Sequence, residues 1–246
     1  MTTFSIITAA YNSLPTIKQA WESLSSQSFI DWEWIVVDGA STDGTKEWLS
    51  SIEDERVHWK SEKDKGIYDA LNKGVERASG SIIGFLHSDD YFADQEILAQ
   101  IKQQLVATHS DGIYGDLKYI SSESGRVIRY WKSQEFTKYL LRKGWMPPHP
   151  TCFIKKDVYT QLGRFDTSFK IAADYDFLLR CFSKEAYKFT YIPLVITHMR
   201  IGGASSKWQN LYKKSREDIR ALRKNRMAFP FWILMRKMSS KLKQFI

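Results

Sequence analysis

The feature that most constrains this chain is a regular alternation of apolar strands and amphipathic helices over its first 110 residues. FSIITAA (residues 4–10) has the length and composition of a buried strand, and Pro15 then opens a helix to about Gln27. WEWIVVD (32–38), VHWKSE (57–62) and SIIGFL (81–86) repeat the strand signal, with helices expected near 46–51, 66–78 and 95–107. In the helix expected over 66–78, Ile67, Ala70, Leu71, Gly74, Val75 and Ala78 fall on one face. Strands that alternate with helices through short links predict an α/β fold, a parallel sheet covered by helices. In an open sheet of that kind ligands bind beyond the carboxyl ends of the strands. Thr8–Asn12, Asp38–Asp43 and His87–Asp90 are therefore expected along one edge.

The second half is less regular. DGIYGDLKYI and RVIRYW flank SSESG as a hairpin, and GWMPPHP reads as a loop. TCFIKKDVYTQLG is expected to pass from strand to short helix, AADYDFLLRCF to begin a helix, and KFTYIPLVITHMR to form a strand.

Charge is unevenly placed. The net charge is +8, yet Lys207–Ile246 alone carries +10 and the remainder −2. A nearly neutral body argues against a nucleic-acid partner. The two cysteines, Cys152 and Cys181, match no disulfide framework or metal-ligand spacing. No basic lead-in precedes the first apolar run, and no stretch approaches the ~20 apolar residues of a spanning helix. The expectation is a cytoplasmic protein.

Within GFLHSDDYF (84–92) two carboxylates, Asp89 and Asp90, stand side by side after an apolar run. Helix capping explains such acids when they occur singly. At a strand end they also suit Mg²⁺, which takes one or two protein carboxylates and completes its shell with phosphate oxygens. Asp38 is either a turn residue or an acceptor for a nucleobase N–H, with Tyr11 placed to stack on that base. Asp43 reads as a turn and cap residue. Neither a dinucleotide-binding glycine motif nor a phosphate-binding loop occurs, so the phosphates must be met by metal.

Taken in order and spacing, SIITAAYNS, WEWIVVDGASTDGT, SEKDKGIYDALNKG and GFLHSDDYF resemble a family-2 glycosyltransferase with the GT-A fold, of the type serving bacterial polysaccharide synthesis. The resemblance is close over the first ~100 residues and looser to about residue 200. It implies a GT-A domain over 1–204, divided into a nucleotide-binding half (1–110) and an acceptor-binding half (111–204), followed by a basic helical tail (205–246). Thr8, Ala9 and Tyr11 would surround the base, Asp38 would bond it, and Asp64 and Lys65 would lie near the nucleotide. The D-x-D motif corresponds to His87-Ser88-Asp89, which makes Asp89 the ligand of Mn²⁺ or Mg²⁺. His87 stands where the first Asp is usual, leaving the ribose contact to Asp90 or to His87 itself. Asp174 matches the catalytic base, although Ala173 replaces the Glu often found before it. A plain alternative for Asp174 is an acid stabilising a helix N-terminus, and Asp176 is the weaker candidate.

The implied activity is inverting, metal-dependent transfer of a sugar from a nucleoside diphosphate, UDP in preference to GDP, to an acceptor hydroxyl of a glycan or lipid-linked glycan. The alternative class is a non-catalytic sugar-nucleotide or glycan-binding module. His149 and His198 read as structural histidines that could instead touch the diphosphate, with MRIGGASS as a segment able to close over the donor. Trp131 and Trp145 suit core packing or a sugar-stacking role. In the tail, Pro230 is expected to divide two helices. FPFWILM, flanked by basic residues, fits a helix lying in the interface of the cytoplasmic membrane, which would place the protein peripherally on the inner face.

Overall fold

A computed structural model describes residues 3–201 and 208–240. The Gly202–Gly203 pair, the boundary at 204/205 and the last basic residues of the tail lie outside the described residues. The first half runs β1 (Phe4–Ala10), α1 (Leu14–Ser25), β2 (Trp32–Asp38), α2 (Thr45–Ser50), β3 (Val57–Ser61), α3 (Ile67–Arg77), β4 (Ile82–Phe85), β5 (Asp90–Phe92) and α4 (Ile97–Thr108). The second half adds β6 (Gly112–Ser121), β7 (Val127–Trp131), α5 (Lys138–Arg142), a 3-10 turn at His149–Thr151, β8 (Phe153–Lys155), α6 (Lys156–Leu162), α7 (Ala173–Ser183) and β9 (Phe189–Ile201). Two helices follow, α8 (Trp208–Lys224) and α9 (Pro230–Ser240).

One mixed sheet joins the strands in the order β3-β2-β1-β4-β8-β6-β9-β5, with β7 paired to β6. The β3-β2-β1-β4 portion is parallel, as the strand–helix alternation predicts. Every residue of β2 is buried, the pattern of a strand covered on both faces. Alternate residues of β1 feed two apolar layers. Ile7 joins Leu71 and Val75 of α3 on one side, whereas Phe4 and Ile6 join Ile17 of α1 and Leu98 of α4 on the other. α3 lies so close to β1 that a Cβ at Gly74 would stand 2.3 Å from Ile7 Cγ2.

Beyond β4 the sheet departs from the parallel expectation. β8 pairs antiparallel with both β4 and β6, while β6 and β9 run parallel to each other. The three-residue β5 was not foreseen as a strand. After β4 the chain turns at His87–Asp89, the Asp90 N–H closing back on the His87 carbonyl at 3.0 Å, and returns antiparallel to β9. A strand so short carries no period of its own. The five-residue α5 escaped for the same reason.

The tail divides where Pro230 was expected to divide it, because proline at the first position of α9 forfeits no helical hydrogen bond. It is not a detached appendage. Ala221 and Leu222 of α8 and Ile233 of α9 enter the same core as α7.

Replacing Gly74 by Ala should lower stability by about 1–2 kcal/mol despite alanine's better helix propensity, since the added methyl has no room against Ile7. The check is a lower urea midpoint at unchanged slope.

Candidate active site

Parallel register sets the carboxyl ends of the first strands together. Ala10 is opposite Asp38, and Asp38 opposite Ser61. Asp38 is fully buried and realises the turn role: its Oδ2 accepts the Ser41 N–H at 3.0 Å and the Ser61 hydroxyl at 2.6 Å, and the Ser41 hydroxyl donates to Oδ1. With two lone pairs on each oxygen, the carboxylate keeps capacity for a further donor. Asn12 bonds Ser41 and Thr42, tying the end of β1 to the same turn. Asp43 caps two helices at once by accepting the N–H groups of Leu14 and Thr45, as the sequence suggests.

Tyr11 is 67% exposed at the mouth of this edge. Beside it, a Cβ at Gly39 would meet Asp64 Oδ2 at 2.6 Å and Tyr11 Cδ2 at 3.3 Å. Tyr11 and Asp64 therefore pack over the Gly39 backbone, a closeness that requires residue 39 to lack a side chain. Asp64 also accepts the Gly66 N–H at 2.8 Å, and the Lys65 N–H is held by Asp69 at 3.1 Å. Ala9 is partly buried against the core. Thr8 differs from its neighbours: it is fully buried, its hydroxyl donating to the Leu86 carbonyl at 2.6 Å and accepting from Trp34 Nε1 at 2.8 Å. Its side chain joins β1 to the end of β4.

That end carries His87, Ser88 and Asp89, all half-buried. Asp89 makes no hydrogen bond or ion pair with the described residues. Asp90, in contrast, is 1% exposed and paired opposite Met199 in the sheet. Burial, followed by the charge of Asp89, pushes the Asp90 carboxyl well above its ordinary value. Neither of its oxygens has a hydrogen-bond partner among the described residues.

His149 joins this cluster. Its ring centroid lies 6.0 Å from that of His87 and 4.9 Å from that of Phe85. His87 Nδ1 and His149 Nε2 are both buried and unpartnered among the described residues. Burial draws the His149 ring down to about 4 and also lowers His87, for which the charges of Asp89 and Asp174 work in the opposite direction. His198 is instead stacked edge-on against Tyr91 at 5.1 Å across the β5–β9 pair. Trp145 packs among Tyr114, Phe136 and Phe182, the core role, whereas Trp131 sits beside Arg129 at 5.4 Å.

Asp174 occupies the first turn of α7, and a residue not singled out in the sequence reaches it. The Tyr68 hydroxyl of α3 stands 3.0 Å from Asp174 Oδ1 and 2.7 Å from the Ile171 carbonyl. Burial opposes the charge on Asp174. The His149 ring, Lys214 and hydrogen bonds from the Tyr175 N–H and the Tyr68 hydroxyl outweigh it, and the carboxyl is held below its ordinary value. Because His149 is neutral at pH 7, Lys214 and the two hydrogen bonds are the lasting contributions there. Burial, then the charge of Asp174, raises the Tyr68 phenol well above its ordinary value, so Tyr68 remains a neutral donor. Asp176 is fully buried and engaged by Arg180, Lys224 and Asn225, a structural set.

An ionised carboxylate, an unpartnered acid and an exposed aromatic thus share one edge. Among the described residues no three His, Cys, Asp or Glu side chains form a metal cage. Asp89 alone fits a cation whose remaining ligands are phosphate oxygens and water, the usual manner of Mg²⁺. A cavity of about 390 Å³ bordered by Ser81, Lys102 and Lys156 lies at the opposite end of β4 and touches none of these groups.

Comparison with known proteins bears on this arrangement. The family model described as "Glycosyl transferase family 2" matches residues 5–163. A PGL/p-HBAD biosynthesis glycosyltransferase of Mycobacterium bovis is 29% identical over 209 residues, covering 82% of this chain and 79% of the relative. The structure of S. aureus TarS 1-349 in complex with UDP-GlcNAc superposes with a TM-score of 0.70 at 21% identity, over 96% of this chain and 71% of that one. The mannosyltransferase PcManGT of Pyrobaculum calidifontis, in complex with GDP-Man and Mn²⁺, gives a TM-score of 0.65 at 19% identity, over 95% of this chain and 68% of that one. At such identities these two structures speak for the fold, GT-A.

Replacing Tyr68 by Phe removes the single O–H that lies between Asp174 and the Ile171 carbonyl, and should cost about 1–2 kcal/mol at pH 7. The Asp174 contribution belongs to a depressed carboxyl, so it is present above the ordinary 3.8 and disappears as pH falls through the lower folded value. Urea melts of the two proteins should accordingly converge in part in acid.

Proposed function

The chain belongs to glycosyl transferase family 2 and is a glycosyltransferase, and we propose that it inverts the anomeric centre of a UDP-sugar in a metal-dependent transfer to an acceptor hydroxyl. The observation that carries the reading is Asp174: a carboxylate kept ionised and aimed by Tyr68, beside the His87–His149 cluster that borders Asp89. A base in this role must hold no proton at neutral pH and must be fixed in direction, and Asp174 meets both conditions.

In the proposed step Asp174 takes the acceptor's hydroxyl proton while that oxygen attacks the anomeric carbon from the face opposite the diphosphate. The new C–O bond forms as the bond to the diphosphate oxygen breaks, its electron pair leaving with UDP. A single displacement inverts the configuration. Asp38 accepts an N–H of the base through its remaining lone pair, Tyr11 covers the base plane, and Asp64 and Lys65 border the ribose and phosphates. Asp89 would hold Mn²⁺ or Mg²⁺, with His87 and Ser88 beside it. When bound, the cation supplies Lewis-acid neutralisation of the charge on the departing diphosphate. The UDP-GlcNAc in the TarS structure and the Mn²⁺ in the mannosyltransferase structure support this assignment without fixing the donor sugar. The relative named for PGL/p-HBAD biosynthesis favours a glycan or lipid-linked acceptor of the cell envelope.

Such an acceptor suits the outer face of α9. Among the described residues, Phe231, Trp232, Met235 and Met238 are exposed there, and Phe229, just before the helix, is exposed as well. No helix of the described residues is long and apolar enough to cross a membrane. A short apolar face on a segment of net charge +10 fits the anionic inner surface of the cytoplasmic membrane, to which each nearby Lys or Arg adds ~1 kcal/mol.

Asp174→Asn should bind donor nucleotide normally but lose transfer by 10²-fold or more, about 2.7 kcal/mol. Turnover close to the parent's would move the base elsewhere. Mn²⁺-dependent UDP release should be abolished by EDTA and restored by excess Mn²⁺. Trp232→Glu combined with Met235→Glu alters only exposed positions and should abolish co-sedimentation with anionic vesicles at an unchanged melting temperature. Equal sedimentation of the two proteins would end the membrane assignment.

A further inference from the structure

We propose that Glu217, on α8, is a positioning residue for Asp174, so that the C-terminal helix is part of the catalytic apparatus. The inference rests on Asp174 as the base and concerns what fixes its place.

α7 begins without a capping side chain of its own. Ala172 occupies the cap position with φ −123°, and its side chain offers no acceptor to the helix N-terminus. The usual Ser, Thr, Asp or Asn is missing just where the chain must deliver Asp174 in a fixed direction. Glu217, 45 residues away, instead holds the N–H groups that lead into the helix. Its carboxylate accepts the N–H of Lys170 at 2.9 and 3.1 Å, of Ile171 at 2.8 Å and of Ala172 at 3.0 Å. Three successive N–H groups converging on one anion form a nest, and charge assistance makes such bonds about twice as strong as neutral ones.

The same peptide segment is gripped from its other side. The Ile171 carbonyl accepts from the Tyr68 hydroxyl, and that hydroxyl also touches Asp174. Glu217 on the N–H side and Tyr68 on the carbonyl side therefore hold the residues immediately before the base between α8 and α3. Either alone would leave one side of the segment unrestrained.

α8 can exert this hold because it is itself anchored. Arg220 bonds the Ser168 hydroxyl at 2.5 Å, Lys224 reaches Asp166 at 2.8 Å and Asp176 at 3.1 Å, and Asn225 reaches Asp176 at 3.0 Å. On the opposite side Asp218 pairs with Lys237 of α9 at 3.0 Å. These contacts bind the helix to the domain, whereas Glu217 alone among them meets residues 170–172. A base misplaced by 1 Å can lose a hundredfold in rate, so a defect in this contact should fall on the chemical step.

The test compares Glu217→Ala, Glu217→Gln and Arg220→Ala in the full chain. Donor affinity is titrated with UDP and Mn²⁺, and kcat is measured from UDP release. Glu217→Ala should reduce kcat at least tenfold, with UDP affinity within twofold and acceptor KM little changed. Glu217→Gln keeps an acceptor oxygen at the nest and should recover part of the loss, to within about three- to tenfold of the parent. Arg220→Ala removes one anchor of α8 while the Lys224, Asn225 and Asp218 contacts and the nest remain, and should stay within twofold. If Glu217→Ala is not recovered folded, Glu217→Gln decides alone: a three- to tenfold lower kcat at parental UDP affinity supports the proposal, and a parental kcat overturns it. A loss confined to UDP affinity, or an equal loss in Arg220→Ala, also overturns it. Asp174→Asn in the same assay separates the two readings. If that variant is inactive while Glu217→Ala is fully active, positioning fails and the base stands. If Asp174→Asn turns over, the base assignment fails first.

Discussion

Parallel pairing of β1 with both β2 and β4 is the constraint from which the site follows. It brings the ends of three strands to one edge, and it requires each of them to be covered on both faces. The covering is achieved by close approach, most plainly where Gly74 of α3 rests on Ile7. Through that contact α3 is fixed relative to β1, and with it Tyr68, whose hydroxyl reaches into the second half of the chain. The direction of the Asp174 carboxylate is thus set by packing in the first half of the chain.

The edge so formed gathers several buried polar groups that lack hydrogen-bond partners among the described residues: His87 Nδ1, His149 Nε2 and both oxygens of Asp90. A buried unpaired group of this kind costs on the order of 1–3 kcal/mol. Asp38 at the same edge is held by Ser41 and Ser61, with one lone pair left over. The site is therefore rigid where a base would be read and unsatisfied where a charged leaving group and its cation would sit.

The C-terminal helices combine two tasks that the sequence presents as one basic tail. Their inner faces carry Ala221, Leu222 and Ile233 into the core and hold the segment before Asp174, while the outer face of α9 exposes aromatic and Met side chains. A domain boundary drawn near residue 204 separates a change in composition, since the physical unit continues through α8. The family model, which ends at residue 163, likewise stops short of both Asp174 and Glu217.

Much was legible in the sequence. Strand and helix periods placed every element of the first 108 residues except β5 nearly to its ends, and Pro230 marked the division of the tail. Asp43 as a cap and Trp145 as core were readable from type and context. Tyr68 lay inside the SEKDKGIYDALNKG motif, yet nothing in the sequence singled it out. Local order in the sequence determined the fold class and which side chains stand at strand ends, because those depend on neighbours a few residues away. Tertiary structure alone decided that Thr8 and Asp90 turn inward, that Tyr68 meets Asp174 across 106 residues, and that Glu217 meets Ala172 across 45. Contacts at such separations have no period, and only the packing of α3, α7 and α8 against one sheet brings them together.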